Sequence, residues 1–164
     1  MYGFNKLLES DNIYYIKMNY KLLYDYLKMY TDSDIQESLF KKEYSKKEIH
    51  NWINNKIISD SELNISMIEK DNNAYIGDIN VEFRDEGTCE ISICITPEMQ
   101  GKGYGLESMN AIIEYVFNKY DVSKIELYVK NDNEKAISLY KKVGFEESKD
   151  KESNSDSTYM TRKR

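Results

Sequence analysis

Residues 90–130 constrain the fold more than any other stretch of the chain. Ile91, Ile93 and Ile95 alternate with Glu90, Ser92 and Cys94, and glycines follow at 101, 103 and 105. Leu106, Met109, Ile113, Val116, Phe117 and Tyr120 then recur at helical spacing before Ile125, Leu127 and Val129 alternate again. A period of two, then 3.6, then two describes a strand, a helix and a strand. Such a unit returns its second strand parallel to the first through a right-handed crossover, so strands 91–95 and 124–130 are expected side by side in one sheet. The glycines between the first strand and the helix free backbone N–H groups to face an object that side chains would block, and a helix N-terminus favours a phosphate.

The flanking sequence builds the rest of that sheet. Residues 13–18, "IYYIKM", read as a strand, and Leu23, Tyr26, Leu27 and Tyr30 as one face of a first helix. Ser45 followed by Glu48 predicts a capping box for a second helix with Ile49, Trp52, Ile53 and Ile57 on one side. Leu63, Ile65 and Met67, then Ile79, Val81 and Phe83, then Ile91 to Ile95 form three alternating runs separated by "DNN" and "RDEG", which predicts an antiparallel meander. Ala136, Leu139, Tyr140 and Val143 mark a last helix that Gly144 ends. A weak hairpin should follow, with its loop around "KESNSDS". The expected fold class is α/β (α+β): one central mixed, mostly antiparallel sheet flanked by helices, in a single domain over 1–164.

Composition narrows the function. The chain has 164 residues, 40% hydrophobic and 32% charged, with a formal charge of −6. A nucleic-acid backbone calls for a basic stripe, so a nucleic-acid partner is not expected, whereas a cationic small molecule suits the acidic balance. No apolar run approaches the roughly 20 residues of a membrane span, and "MYGFNKLLESDN" has no basic-then-apolar leader, so the cytoplasm is the expected location. Cys89 and Cys94 lie five apart on one strand, which suits neither a local disulfide nor a metal quartet, and no metal is expected. His50, the one histidine, lies off the apolar face of its helix and reads as a surface group.

The glycine loop is neither a Walker loop, since Leu106 follows Gly105 where a lysine would be needed, nor a dinucleotide fingerprint, whose third glycine would fall at 106. "QGKGYG" at 100–105, after "ISICITPEM", resembles the Q/R-x-x-G-x-G/A loop of the GNAT superfamily of N-acetyltransferases. "NEKAISLYKKVGF" at 133–145 is similar to that family's second signature, N-x-x-A-x-x-L-Y-x-x-x-G-F. In wording these motifs look most like the spermidine and ribosomal-protein N-terminal acetyltransferases, while the tail "SDSTYMTRKR" departs from the longer aromatic hairpin of the spermidine group. The resemblance implies the GNAT fold with a splayed parallel strand pair at the cofactor site, and acetyl-CoA as co-substrate.

It also implies roles. Gln100, Gly101, Lys102, Gly103, Tyr104 and Gly105 would surround the pyrophosphate, with backbone N–H groups as a nest and Lys102 as a point charge. Unpaired backbone groups of Ile93, Cys94 and Ile95 would bond the pantetheine arm as an added strand would, and one N–H would polarise the thioester carbonyl. Asn133 matches a position that contacts the cofactor and equally suits a helix cap. Tyr140 matches the general acid. Glu90 is the candidate base, with Glu82 in reserve, because an alkylammonium of pKa about 10 must lose a proton before it attacks. The acceptor is expected to be a small polyamine-like amine, attracted by Asp32, Asp34 and Glu37 in the segment 30–48; a ribosomal-protein N-terminus or an aminoglycoside fits the same core. A non-catalytic acetyl-CoA-binding module is the rival of another class, and self-association is left open.

Overall fold

A computed structural model describes residues 5–38, 44–85, 87–149 and 156–164. In chain order the elements are β1 (Lys6–Glu9), β2 (Ile13–Lys17), α1 (Leu23–Tyr30), α2 (Ser33–Ser38), α3 (Lys46–Ile58), β3 (Glu62–Glu69), β4 (Tyr75–Phe83), β5 (Thr88–Ile95), α4 (Tyr104–Lys119), β6 (Lys124–Lys130), α5 (Glu134–Lys142), β7 (Glu146–Glu147) and β8 (Ser157–Lys163). Among the described residues the strands form one sheet in the order β1-β2-β3-β4-β5-β6-β8-β7. Every neighbouring pair is antiparallel except β5 with β6. The meander and the crossover are therefore as the alternation predicts. The tail strands pair with each other as a hairpin would; of the expected loop "KESNSDS", residues 151–155 lie outside the described residues, and Ser157 already opens β8.

Two short elements escape the sequence patterns. β1 has four residues, too few to show a period, and is held by pairing with β2. α2 starts at an Asx cap, with Asp32 Oδ1 accepting from the N–H groups of Asp34 and Ile35. The expected first helix is also shorter, because Asn19 caps a 3-10 turn at Tyr20–Leu22 before α1 begins. In α3 the predicted box forms in full: Ser45 Oγ accepts from Glu48 N at 3.2 Å, and Ser45 N donates to Glu48 Oε2 at 2.9 Å.

The sheet is covered on both faces. Met109, Ile112, Ile113 and Val116 of α4 are fully buried against Ile79, Val81 and Ile91 on one side. Their burial contributes on the order of 6–12 kcal/mol gross, at about 1.5–3 kcal/mol per side chain, so packing fixes where the first turn of α4 stands. On the other face α1, α2 and α3 enclose Tyr26, Met29, Tyr30, Ile35, Ile49 and Ile53 with Tyr75 and Cys94. This second layer buries Asn64, Ser66 and Asp78, which alternation alone would send to solvent. Among the described residues no helix is long and apolar enough to cross a membrane.

Candidate functional site

The parallel pair is shorter than its strands. β5 and β6 are in register only at Thr88–Lys124, Cys89–Ile125 and Glu90–Glu126, whereas β5 stays paired with β4 out to Ile95. From residue 91 onward β5 and β6 diverge. In an antiparallel ladder the bonded pairs alternate. Arg84 N donates to Thr88 O at 2.8 Å and Thr96 N to Ile76 O at 2.9 Å, so even-numbered residues of β5 bond β4 and odd-numbered ones face the divergence. Ile93 and Ile95 therefore turn their backbone groups toward the gap.

Cys94 requires a correction. Its parity sends its N–H and C=O to Asp78, opposite it in the register, and a Cβ built at Gly77 would overlap the Cys94 carbonyl oxygen. Its thiol lies on the face covered by α1–α3, where burial first, then Asp78 and Asp32, push it up to about 12. Cys94 is thus a wall residue of that side and gives the gap no backbone group.

The glycine loop leads from the gap into α4. Gly101 and Gly103 have φ of 75° and 89°, a left-handed conformation that side chains resist, and a Cβ on either would meet nothing within 4 Å. Both glycines border open space at the start of a 16-residue helix, an arrangement that suits a diphosphate. Gly105 serves another purpose: a Cβ there would come to 3.2 Å of Leu139 Cδ2 and 3.5 Å of Ile95 Cδ1, so its bareness lets α5 close on β5. Gln100 spends its Nε2 on the Ile95 carbonyl at 3.0 Å, sealing the end of β5. Lys102 is exposed, with Nζ 3.5 Å from Met99 Sδ, and Tyr104 ties the helix start to Glu69 by a short hydrogen bond that raises its hydroxyl to about 12. Asn133 caps α5, accepting from Ala136 N at 3.1 Å. These side chains shape the loop, and the backbone supplies its donors.

Tyr140 projects from α5 into the core, packs against Phe145 and is only 7% exposed. Burial first, and then the Cys94 thiol, push its hydroxyl up to about 12, so it keeps its proton at neutral pH. Glu90 does not reach a comparable place. It pairs with Arg84 at 3.1 Å, Arg84 also holds Glu82 at 2.8 Å, and the trio sits at the closed end of β5 rather than along the gap. Neither candidate base is brought to the cavity, because an exposed guanidinium occupies both.

Among the described residues two carboxylates are buried, Glu126, which accepts from the Tyr159 hydroxyl at 2.7 Å, and Asp78, which the sequence pattern does not single out. It lines a cleft of about 170 Å³ with Tyr30, Tyr44, Ile49, Trp52, Ser92, Ile93 and Cys94. Asp78 is 5% exposed; Ser66 Oγ donates to its Oδ1 at 3.3 Å, and Oδ2 has no hydrogen-bond partner of good geometry. Burial pushes its carboxyl up to about 7 against the opposing pull of the Tyr75, Ser66 and Tyr30 hydroxyls and of Lys56. Gly77 immediately before it was the one available signal, since a glycine inside an alternating run marks a close backbone approach. His50 is exposed and bonds Asn54 at 3.1 Å, and among the described residues no cluster of His, Cys, Asp and Glu could hold a metal ion.

Comparison with known proteins agrees with this geometry. The family model for the acetyltransferase (GNAT) domain matches residues 18–146. The spermidine N(1)-acetyltransferase of Escherichia coli K12 is 41% identical over 56 residues, which are 34% of this chain and 30% of that protein. The match thus spans about a third of the relative's length. A GNAT-family acetyltransferase from Bacillus anthracis superposes with a TM-score of 0.82 at 19% identity, covering 95% of this chain and 97% of that one. Spermidine N-acetyltransferase from Vibrio cholerae, solved with CoA and spermine, gives 0.80 at 23% identity, covering 94% and 96%. At those identities the superpositions establish the fold.

Proposed function

We propose, for a chain that belongs to the GNAT acetyltransferase family, that it moves an acetyl group from acetyl-CoA to a primary amine by direct attack, with a polyamine-like acceptor. The observation that carries this reading is the divergence of β5 from β6, which opens onto the left-handed glycines at the start of α4. Acetyl-CoA supplies the acyl group and a thiolate leaving group. The N–H groups around Gly101 and Gly103 hold its diphosphate, and those of Ile93 and Ile95 bond its pantetheine amides and polarise the acyl carbonyl. Tyr140 holds the proton that neutralises the departing sulfur.

The acceptor is proposed from the spermidine acetyltransferase relatives and from the net charge of −6. One domain over 1–164 carries the activity. Free Cys89 and Cys94 suit a reducing compartment, and the cytoplasm is the proposed location. Thiol release from acetyl-CoA, measured across spermidine, spermine, aminoglycosides and N-terminal peptides, tests the reading. Polyamines should be preferred. Acetyl-CoA binding by calorimetry without thiol release for any amine would leave a binding module, and release with peptides alone would replace the polyamine by a protein N-terminus.

A further inference from the structure

The geometry points to Asp78 Oδ2 as the group that receives the acceptor's ammonium in the Tyr30–Trp52 cleft and takes its proton, so that Asp78, rather than Glu90 or Glu82, selects a terminal aminoalkyl acceptor. This rests on the acetyltransferase reading for its chemistry. The binding half stands on geometry alone. A buried carboxylate oxygen without a donor is costly, and a partner that arrives with the ligand removes that cost. Ser66 cannot supply it. Tyr26 lies 2.8 Å from Ser66 Oγ and accepts from Asn19 N at 3.2 Å, so the hydroxyl chain runs Asn19 to Tyr26 to Ser66 and ends on Oδ1. Lys56 cannot either, because its Nζ is held by Glu62 at 2.8 Å. The Tyr30 and Tyr75 hydroxyls face Asp78 and pull its carboxyl down, but neither gives Oδ2 a hydrogen bond of good geometry, and the Tyr75 hydroxyl turns to Met29 Sδ at 3.8 Å.

The cleft suits the rest of such a ligand. Tyr30 and Trp52 meet edge to face with ring centroids 4.6 Å apart, and with Tyr44 and Ile49 they give an alkyl arm an apolar wall and an ammonium ring faces. A cavity of about 170 Å³ admits a short unbranched arm more readily than a peptide α-amine carrying its side chain and carbonyl. Ile93, whose backbone faces the divergence, lines the same cleft, so the cleft adjoins the acyl site across a single strand. The Cys94 thiol is within electrostatic reach of both Asp78 and Tyr140.

In the proton step one N–H bond of the ammonium breaks, an O–H bond forms at Oδ2, and the nitrogen keeps the electron pair that makes it a nucleophile. Asp78 then returns the proton to solvent. The groups facing Asp78 are Ser66 from β3, Tyr75 on its own strand, Tyr26 and Tyr30 from α1, Cys94 from β5 and Lys56 from α3. A carboxyl among them that titrates near 7 is matched to a base working at neutral pH.

Asp78→Asn keeps the shape and removes the charge. Calorimetry should show CoA binding unchanged and spermidine affinity lowered at least 10-fold. In thiol release, the wild type should show kcat/KM for spermidine rising through pH 7; in Asp78→Asn it should fall roughly 10²-fold or more and lose that rise. Wild-type spermidine affinity together with a wild-type pH profile in Asp78→Asn would overturn the assignment. If that variant does not fold, Trp52→Ala at the exposed rim decides: a several-fold rise in KM for spermidine with CoA affinity intact supports the cleft, and an unchanged KM removes it. Absence of thiol release by the wild type defeats the acetyltransferase reading separately, because the spermidine calorimetry still reports on Asp78.

Discussion

Burial raises the Asp78 carboxyl to about 7 and the Tyr140 hydroxyl to about 12, with different consequences at neutral pH. Tyr140 stays a proton donor, and Tyr140→Phe should lower turnover roughly 10²-fold while CoA affinity by calorimetry stays within error. Asp78 also shapes stability. The folded chain keeps its proton up to about pH 7, the unfolded chain only up to the ordinary carboxyl range near 4, so between those values folding binds a proton. Stability from this group is full at low pH and is lost as pH rises through about 7. Asp78→Asn should remove that loss, gaining thermal stability relative to the wild type between pH 4 and 7 in melting curves. At Gly103 the reasoning is steric. Valine would take a φ of 89° at a strain of order 1–3 kcal/mol and set its side chain over the open N–H surface, so Gly103→Val should abolish CoA binding in calorimetry.

The elements differ in how much of their placement is local. The start of α3 was legible because Ser45 and Glu48 satisfy each other's backbone within four residues, and Ser45→Ala should cost about 1 kcal/mol in chemical denaturation. The end of α5 was legible for a similar reason, since Gly144 takes the left-handed turn at φ of 85°. Gly105 was legible only as a glycine. Its reason is the approach of Leu139 on α5 and Ile95 on β5, both far from it in the hydrophobic pattern. Gly105→Val should push α5 away from β5, lowering stability by about 1–3 kcal/mol and weakening CoA binding even though residue 105 lies inside the helix. A variant as stable as the wild type would show that α5 can give way there.

At the scale of the whole molecule the net charge of −6 acts through its field more than through any one pair. A polycationic acceptor is drawn by that field, so KM for spermine should rise steeply with salt, while KM for a peptide bearing a single amine should hardly move. Initial-rate measurements across salt concentrations check this, and a salt-independent KM for spermine would remove the electrostatic part of the acceptor reading. The segment 30–48 adds little to that field, because its five Asp and Glu stand against four Lys. Asp32 caps α2, and the Glu37 backbone carbonyl accepts from Lys130 at 2.6 Å.

The sequence by itself determined the meander, the parallel crossover and the glycine loop, because each follows from a period or from a φ that a short run of residues sets alone, whereas the places of β1 and β8 in the sheet came from pairing between distant strands. It also placed Tyr140, through the helical spacing of Ala136, Tyr140 and Val143 that buries one face of α5. The choice between Asp78, Glu82 and Glu90 was left to the tertiary structure. All three stand on one face of adjacent strands with the same alternation, and locally only Gly77 before Asp78 sets one of them apart, without saying which is buried. Only the packing of α1 and α3 over one end of that face decides which carboxylate loses water, and only Arg84 at the other end decides which two keep a counter-ion. Desolvation depends on what covers a side chain, and the residues that cover Asp78 lie as many as 52 positions away in the chain, at Tyr26, Tyr30 and Lys56, beyond the reach of any local pattern.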